Sequence, residues 1–579
     1  MPKNKTSIAI ILLLLLVVSK LAILAWSVDK GFEMTDEGYY LLWFHSAHLY
    51  APDMHLNYYY LVQLLFGWVD WDITAMRIGG IVTEVGAVLA LGWGLSKYLK
   101  ARLTELYSPA FVAVLLIGGF AALFTAEHPR SLSYDSVTHL LMSIGVGLLL
   151  AWQSFDEKPK SWRLIVFFAL LGIILAAQFI VKFSSPILLA GLWLVVTLLA
   201  KQKKGNITVA ALGTLLGMGL LFTGLFGTQI SLSTFLEYYR ISYERISQLG
   251  YSPIDIVLKT YLAKDTVHFA LNIGPALLVI IGALFAFKNK EPSKRITWAM
   301  ALGLVVFVLQ AFLFPTNYFP QWHYRFIDLL LLLIISGSYV AWQFSAAGRA
   351  VLMLVLVLFA LPFVCAIGSA INWAMSLFSY LPAWIMLVVV LWHYIGQQTG
   401  MRVWAEIVQH GIIAGSFLIF LQVFLYPNYL PHGMAASMFE QTEQAVAYDP
   451  VKLDAPTAKF VAETEQLLSS NGFKPGNYLL ALYDLPGLVY LLQGYSPQVP
   501  WYFGETTRAT TKEAVDNTCW HINEITETNV FVVKPVIVHP DVSNCLSSSK
   551  LNFPASYLIA GTVYNTYCKC EMEVWVPKQ

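Results

Sequence analysis

Charge is what this chain has least of. Asp, Glu, Lys and Arg make up 12% of its 579 residues, about half the share usual in a soluble globular domain. Hydrophobic residues make up 57%. That balance excludes an ordinary soluble fold and implies a polytopic membrane protein. The few charges nearly cancel, to a net +1, which gives no sign of nucleic-acid binding. Within the apolar runs, charge is scarcer still: Lys20, Glu84, Asp328 and, if its span begins early, His139. A transporter would need more such residues near the bilayer midplane, with an inverted repeat; the sequence shows neither. No small-residue cleavage site follows the charged head MPKNK and its apolar run, so that run reads as a retained first helix rather than a removed signal.

What is present is length in apolar runs. A helix needs roughly 18 or more such residues to cross the hydrocarbon core, and about thirteen candidates occur. They lie in 7–27, 74–96, 109–126, 136–153, 164–181, 184–200, 207–227, 266–287, 296–315, 326–345, 351–369, 381–396 and 409–427. Every second connection between them is basic: Lys3 and Lys5; Lys97, Lys100 and Arg102; Lys158, Lys160 and Arg163; Lys201, Lys203 and Lys204; Lys288, Lys290, Lys294 and Arg295; Arg349; Arg402. The positive-inside rule places these connections and the N-terminus in the cytoplasm. An odd number of spans then puts the C-terminus outside, together with 28–73, 127–135, 228–265 and 316–325.

Within 28–73, EGYYLLWFHSAHLY and LNYYYLVQLLFGWVDW read as short helices in the interface plane, as does STFLEYYRISYERIS (231–247). Beyond about residue 428 the long apolar runs stop. YLLALY (478–483), NVFVVKPVIV (529–538), SYLIAGTVY and EMEVWV read as strands, and LPGLVYLLQG as a short helix. The expected organisation is therefore a transmembrane domain over 1–427 and a soluble extracytoplasmic α/β domain over 428–579. Four of the five cysteines, Cys519, Cys545, Cys568 and Cys570, fall in that second domain. On the outer face disulfides are the default, with a zinc site as the rival. Cys568 and Cys570 read as sharing one strand face, so each is expected to pair with Cys519 or Cys545. Cys365 reads as a packed, inert thiol.

Three outer stretches carry candidate chemistry. MTDEGYY (34–40) sets Asp36 and Glu37 at the membrane surface. They read either as a helix start, with Thr35 or Asp36 as N-cap, or as a general base raised toward useful basicity by nearby apolar surface. EHPRSLSYD (127–135) gathers Glu127, His128, Arg130 and Asp135, either as a wet loop or as a phosphate and sugar grip. NYFPQWHYRFID (317–328) places His323 and Arg325 among aromatics, either as an interfacial belt or as a phosphate contact. Lys182, between two outer span ends, is a candidate for the same phosphate role, and Arg240 on the interfacial helix is another.

TDEGYYLLW and the following LNYYYLVQLLFGWVDWDITAMRIGGIVTEVGAVLAL, set in this topology, resemble the GT-C superfamily of integral-membrane glycosyltransferases. The chain looks most like the bacterial lipid A aminoarabinose transferases and the protein O-mannosyltransferases. The sequence likeness covers about the first hundred residues, and the topological likeness most of the membrane part. It implies transfer of a hexosyl or pentosyl group from a polyprenyl-phosphate donor to an envelope acceptor, with inversion. The acceptor class would be lipid A, O-antigen or a related glycan, or protein, outside the bacterial inner membrane. Asp36 would be the base and Glu37 its support. Arg130, Asp135, Lys182, His323 and Arg325 would serve the donor, with Glu127, His128, Tyr58, Tyr59 and Arg240 as secondary candidates. No metal is expected to be obligatory, although Asp36, Glu37 and Asp135 are the carboxylates that would meet to hold one. The chain departs from the eukaryotic mannosyltransferases in lacking a large central insert. It departs from the oligosaccharyltransferase in carrying its nearest WWDYG look-alike, WVDWD, at 68–72, far from the outer domain. That domain shows no assignable motif, and its location alone suggests sugar or acceptor binding. The readings in other classes are a transporter or flippase of lipid-linked sugars, and an assembly protein without catalysis.

Overall fold

The computed structural model describes residues 3–50, 57–125, 131–155, 161–199, 204–248, 266–313, 321–343, 348–367, 377–425, 437–444, 451–502 and 512–578. Each of the expected apolar runs falls on a helix: α1 (Lys3–Trp26), α4 (Ile73–Arg102), α5 (Pro109–Ala121), α6 (Tyr134–Trp152), α7 (Ser161–Val181), α8 (Ser184–Leu199), α9 (Lys204–Thr228), α11 (Thr266–Ala286), α12 (Pro292–Leu313), α13 (Gln321–Gln343), α14 (Gly348–Ala366), α15 (Pro382–Thr399) and α16 (Arg402–Leu425). Among the described residues, nine of these are long and apolar enough to cross a membrane, while α5, α8 and α14 are shorter apolar helices. Three further helices lie between spans: α2 (Asp36–Ser46), α3 (Tyr58–Phe66) and α10 (Leu232–Gln248).

Side-chain exposure separates centre from rim. Trp384 through Leu391 on α15 are fully buried, whereas Leu212, Leu215, Leu278 and Leu302 on α9, α11 and α12 point outward. Such contiguous apolar exposure is costly in water and costs nothing against lipid. The helix ends are set by ordinary capping chemistry. The Asp72 side chain accepts from the Ala75 amide at the head of α4, and Ser108 caps α5 ahead of Pro109. Ser133 and Ser136 form a capping box at the head of α6. Gly94 of α4 and Gly147 of α6 meet backbone to backbone, leaving no room for a Cβ on either. That close approach lies toward the C-terminal ends of the two helices; at their heads, where the site lies, the Leu132 amide donates to the Met76 carbonyl at 2.8 Å.

Two of the buried charges find close partners. The Lys20 ammonium donates to the carbonyls of Ala121 and Leu123, which lie at the C-terminal end of α5, where helix carbonyls lack intrahelical partners. The Glu84 carboxylate lies 2.6 Å from His139 Nδ1.

The described residues from 437 onward form the second unit, and the expected boundary at 427–428 lies outside the described residues. A two-stranded ribbon, β1 (Glu443–Gln444) and β2 (Lys452–Leu453), leads into α17 (Ala455–Ser469). β3 (Leu479–Ala481), β4 (Phe531–Pro535), β5 (Tyr557–Asn565) and β6 (Cys570–Pro577) make one sheet in the order β3-β4-β6-β5, with only β3 and β4 parallel. The parallel pair requires a crossover, which includes α18 (Pro486–Leu491) and α19 (Lys512–Asn523); α20 (Pro540–Ser548) follows β4.

Two expectations are corrected here. First, α2 does not present a single apolar face. Glu37, Gly38, Tyr40, Leu41, Leu42, Trp43, Phe44 and Ser46 are all buried, because the sheet unit packs over it. The Gly487 amide donates to the Met34 carbonyl (2.8 Å) and the Gly31 amide to that of Lys452 (2.7 Å), while Lys452 Nζ pairs with Asp29 at 2.6 Å. Second, the disulfides are Cys519–Cys545 and Cys568–Cys570. Cys568 is not on a strand. β5 ends at Asn565 and Lys569 takes φ +53°, so the chain reverses between the two cysteines and brings them together. Cys365 is buried and free, as expected.

Candidate active site

The sequence around Asp36 folds into a helix start whose cap is neither Thr35 nor Asp36. Thr35 occupies the N-cap position without a side-chain capping bond. Glu33 does the work instead: its carboxylate accepts from the amides of Thr35 (2.9 Å) and Glu37 (2.8 Å) and from the Thr35 hydroxyl. Burial, with repulsion from Asp36, pushes the Glu33 carboxyl well above the usual range.

Glu37 is committed elsewhere. Arg77, one turn into α4, meets it through two parallel bonds, Nε–Oε1 and Nη2–Oε2, both 2.7 Å. The Ser131 hydroxyl also donates to Glu37. Burial alone would raise the Glu37 carboxyl, but Arg77 and the hydrogen bonds outweigh it and hold the group below its ordinary value. Arg77 further binds the carbonyls of Val28, Lys30 and Gly31. Glu37 thus anchors α2 to α4, and Asp36 is the partly exposed member of the two adjacent carboxylates. Arg77 escaped the sequence reading, although a lone arginine at the head of an apolar helix signals a buried acid partner.

From Asp36 a polar path runs into the bundle. Tyr40, one turn along α2, is buried against Tyr58 (ring centroids 6.0 Å) and Tyr134 (6.5 Å). Burial first, then the charge of Asp36, with further contributions from Tyr134, Tyr58 and Asp135, pushes its phenol well up. The Tyr40 hydroxyl is therefore within electrostatic reach of both carboxylates. Asp135 sits buried in the first turn of α6, where the helix dipole favours an anion, and accepts from the Tyr380 hydroxyl at 2.8 Å. Lys182, between α7 and α8, is buried within reach of the Asp135 charge, its ammonium 6.0 Å from the Tyr134 ring centre. The ammonium donates to the carbonyls of Cys365 (2.7 Å) and Ala366 (3.5 Å) at the C-terminus of α14. Deeper still, the His139 ring packs edge-on against Tyr380 at 5.5 Å and is held by Glu84. Tyr380, Glu84 and His139 thus join a site for which the sequence reading had named Asp36, Asp135 and Lys182.

The remaining candidates either wall this path or lie elsewhere. Tyr58 is fully buried and donates to the Leu132 carbonyl at 3.0 Å, so it packs the wall. Half-buried Tyr59 meets Phe44 edge-on. Arg325, on α13, donates to Asn272 of α11 at 2.9 Å and lies 3.8 Å from Asp328, forming a separate polar cluster on other helices. Arg240 is exposed and paired with Glu237 one turn back on α10. The His323 side chain and residues Glu127, His128 and Arg130 lie outside the described residues.

No protein-family model matches the chain, and no curated protein matches it. Among solved structures it is similar to ArnT from Cupriavidus metallidurans, both bound to undecaprenyl phosphate and in the apo state. The identity is 14% in each case and the TM-scores are 0.42 and 0.40, over 97% of this chain and 97% of that chain.

Proposed function

We propose that the protein is a membrane glycosyltransferase that moves a hexosyl or pentosyl group from a polyprenyl-phosphate donor to an envelope acceptor. The observation that carries this reading is a partly exposed carboxylate, Asp36, one helical turn from Tyr40, whose ring lies 6.5 Å from Tyr134, with the buried Asp135 carboxylate and Lys182 ammonium on the far side of Tyr134, at one end of an apolar helix bundle.

Such a donor already carries its leaving group. The chemistry left to the protein is to deprotonate an acceptor hydroxyl and stabilise the departing phosphate. Asp36 takes the hydroxyl proton as the acceptor oxygen attacks the anomeric carbon. The bond from that carbon to the phosphate oxygen breaks on the opposite face, inverting the centre, and the electron pair leaves with the polyprenyl phosphate. An ammonium has three donors. Lys182 shares its donors with the α14 carbonyls, which fix it in place, and directs its charge toward the leaving group. Here the cation is Lys182, and no resident metal is invoked. The basic connections favour a cytoplasmic N-terminus, which supports a reading with the site and the C-terminal unit on the periplasmic side of a bacterial inner membrane.

The direct test compares wild type with Asp36→Asn, at matched expression, for transfer from a radiolabelled polyprenyl-phosphate sugar pool to envelope acceptors. Asp36 does not cap its helix, so the variant is expected to fold and melt like wild type while transfer disappears. Equal transfer by the two proteins would sink the reading.

A further inference from the structure

Asp36 has two aromatic neighbours on its own helix, and they lead in opposite directions. Tyr39 and Tyr40 follow at i+3 and i+4 and so share its face, with ring centres 5.7 Å apart. Tyr40 leads to Tyr134, Asp135 and Lys182, the side assigned above to the leaving phosphate. Tyr39 faces the sheet unit, where its ring centre lies 5.5 Å from that of Trp501.

Trp501 does not stand alone. Its indole N–H donates to Asp484 Oδ1 at 2.9 Å. Asp484 is fully buried, lies three residues beyond the end of β3 and takes φ +56°, while its amide donates to the Tyr502 carbonyl at 3.0 Å. From the β5–β6 turn, Tyr567 comes within reach of the charges of Glu33, Asp484 and Asp36 and of the Thr35 hydroxyl. Packing alone asks for none of this. A buried carboxylate is expensive to desolvate. Trp501 and Tyr39 are half-buried beside the proposed base. Mostly apolar walls with a few convergent polar groups are the usual makings of a ligand site.

We propose that this seam between α2 and the C-terminal unit is the acceptor's carbohydrate subsite. A pyranose or furanose ring lies with its C–H face on Trp501 and Tyr39 and presents a hydroxyl to Asp36, while the donor approaches from the Lys182 side. The proposal rests on the transferase reading for the direction of transfer, but sugar binding at the seam is testable by itself.

The test uses the full-length protein in lipid nanodiscs, because maltoside detergents would compete for the subsite. Methyl glycosides of glucose, mannose, galactose and arabinose are the probes, and saturation-transfer NMR is the readout. At least one glycoside is expected to show transfer to its ring C–H protons with wild type, unchanged with Lys182→Met. The signal should weaken about tenfold with Trp501→Leu, the loss expected of one aromatic contact. Trp501→Leu also strips Asp484 of a partner, so Tyr39→Leu is run beside it and should weaken the signal without lowering the melting temperature. The proposal is overturned if no glycoside gives a signal with wild type, or if both aromatic variants retain it in full. A signal that depends on Trp501 in a protein whose Asp36→Asn variant shows no transfer defect would keep the subsite and remove the transferase.

Discussion

Arg77 grips Glu37 through two parallel 2.7 Å hydrogen bonds, with each side chain only 2% exposed. Forty residues and a change of helix separate the partners, and the pair fixes the head of α2 against α4. Removing one partner leaves the other charge buried without compensation, a loss of about 3–5 kcal/mol. Arg77→Met and Glu37→Ala should therefore each lower unfolding stability by that order. Asp36→Asn, one residue away, should stay within about 0.5 kcal/mol of wild type. Denaturant unfolding of the purified protein followed by Trp fluorescence checks both statements; an Arg77→Met protein as stable as wild type would show that the clamp is not structural.

The same pair sets a pH dependence. Glu37 is held below its ordinary value of 4.5. A carboxylate depressed in the folded state adds stability above its unfolded pKa, and that stability is lost as pH falls through the lower folded value. Stability should thus decline on acidification below about pH 5. Glu37→Gln, less stable at neutral pH, should show a shallower acid limb in melting temperature measured from pH 7 to pH 3.

These residues mark the limit of what the sequence makes legible. Apolar length and alternating basic connections are local signals, and they place every expected run on a helix. The strands and short helix of the last unit were equally readable, because β-branched clusters between turn residues carry their own period. Partnership is not local. Arg77 finds Glu37, His139 finds Glu84 and Asp135 finds Tyr380 only because the helices pack as they do. No periodicity encodes that. Glu33 was passed over because glutamate is a rare N-terminal cap. The cysteine pairing was misread because a strand was extended through Lys569, where the backbone in fact turns.

That turn gives a prediction about the two disulfides. Cys519–Cys545 closes a separation of 26 residues and Cys568–Cys570 one of 2. On chain-entropy grounds the first should contribute about 3–4 kcal/mol to the C-terminal unit and the second far less. Replacing Cys519 and Cys545 by Ser should sharply lower the proteolytic resistance of residues 512–578, while replacing Cys568 and Cys570 should leave it nearly intact. The reverse order would argue that the short bridge holds the turn carrying Tyr567.

Docking of that unit on α2 depends on two glycines. A Cβ on Gly38 would collide with the backbone nitrogen and Cα of Gly487, neither of which is a flexible side-chain end. Gly38→Ala should therefore push α18 off α2 without disturbing the bundle. Hydrogen exchange across Pro486–Leu491 should accelerate while exchange in α15 stays slow, and sugar transfer should fall about tenfold or more as the seam opens. Full transfer with accelerated exchange would mean that the site works without the docked unit.

The deepest part of the site offers the last test. Tyr380 donates to Asp135 at 2.8 Å, and Asp135 lies within reach of Lys182. Tyr380→Phe keeps the ring against His139 but removes a donor from a buried carboxylate, and hydrogen bonds to charged groups are among the stronger ones. Asp135 then has one donor fewer and draws more heavily on the Lys182 ammonium, so less of that charge is available to a phosphate. Binding of polyprenyl phosphate, measured by thermophoresis on the purified protein, should weaken about tenfold, with glycoside binding at Trp501 unchanged. Lys182→Met should abolish polyprenyl-phosphate binding outright. If Tyr380→Phe binds polyprenyl phosphate as tightly as wild type while Lys182→Met does not, Lys182 is held by the α14 carbonyls alone, and the Asp135–Tyr380 pair serves only to join α6 to the segment before α15.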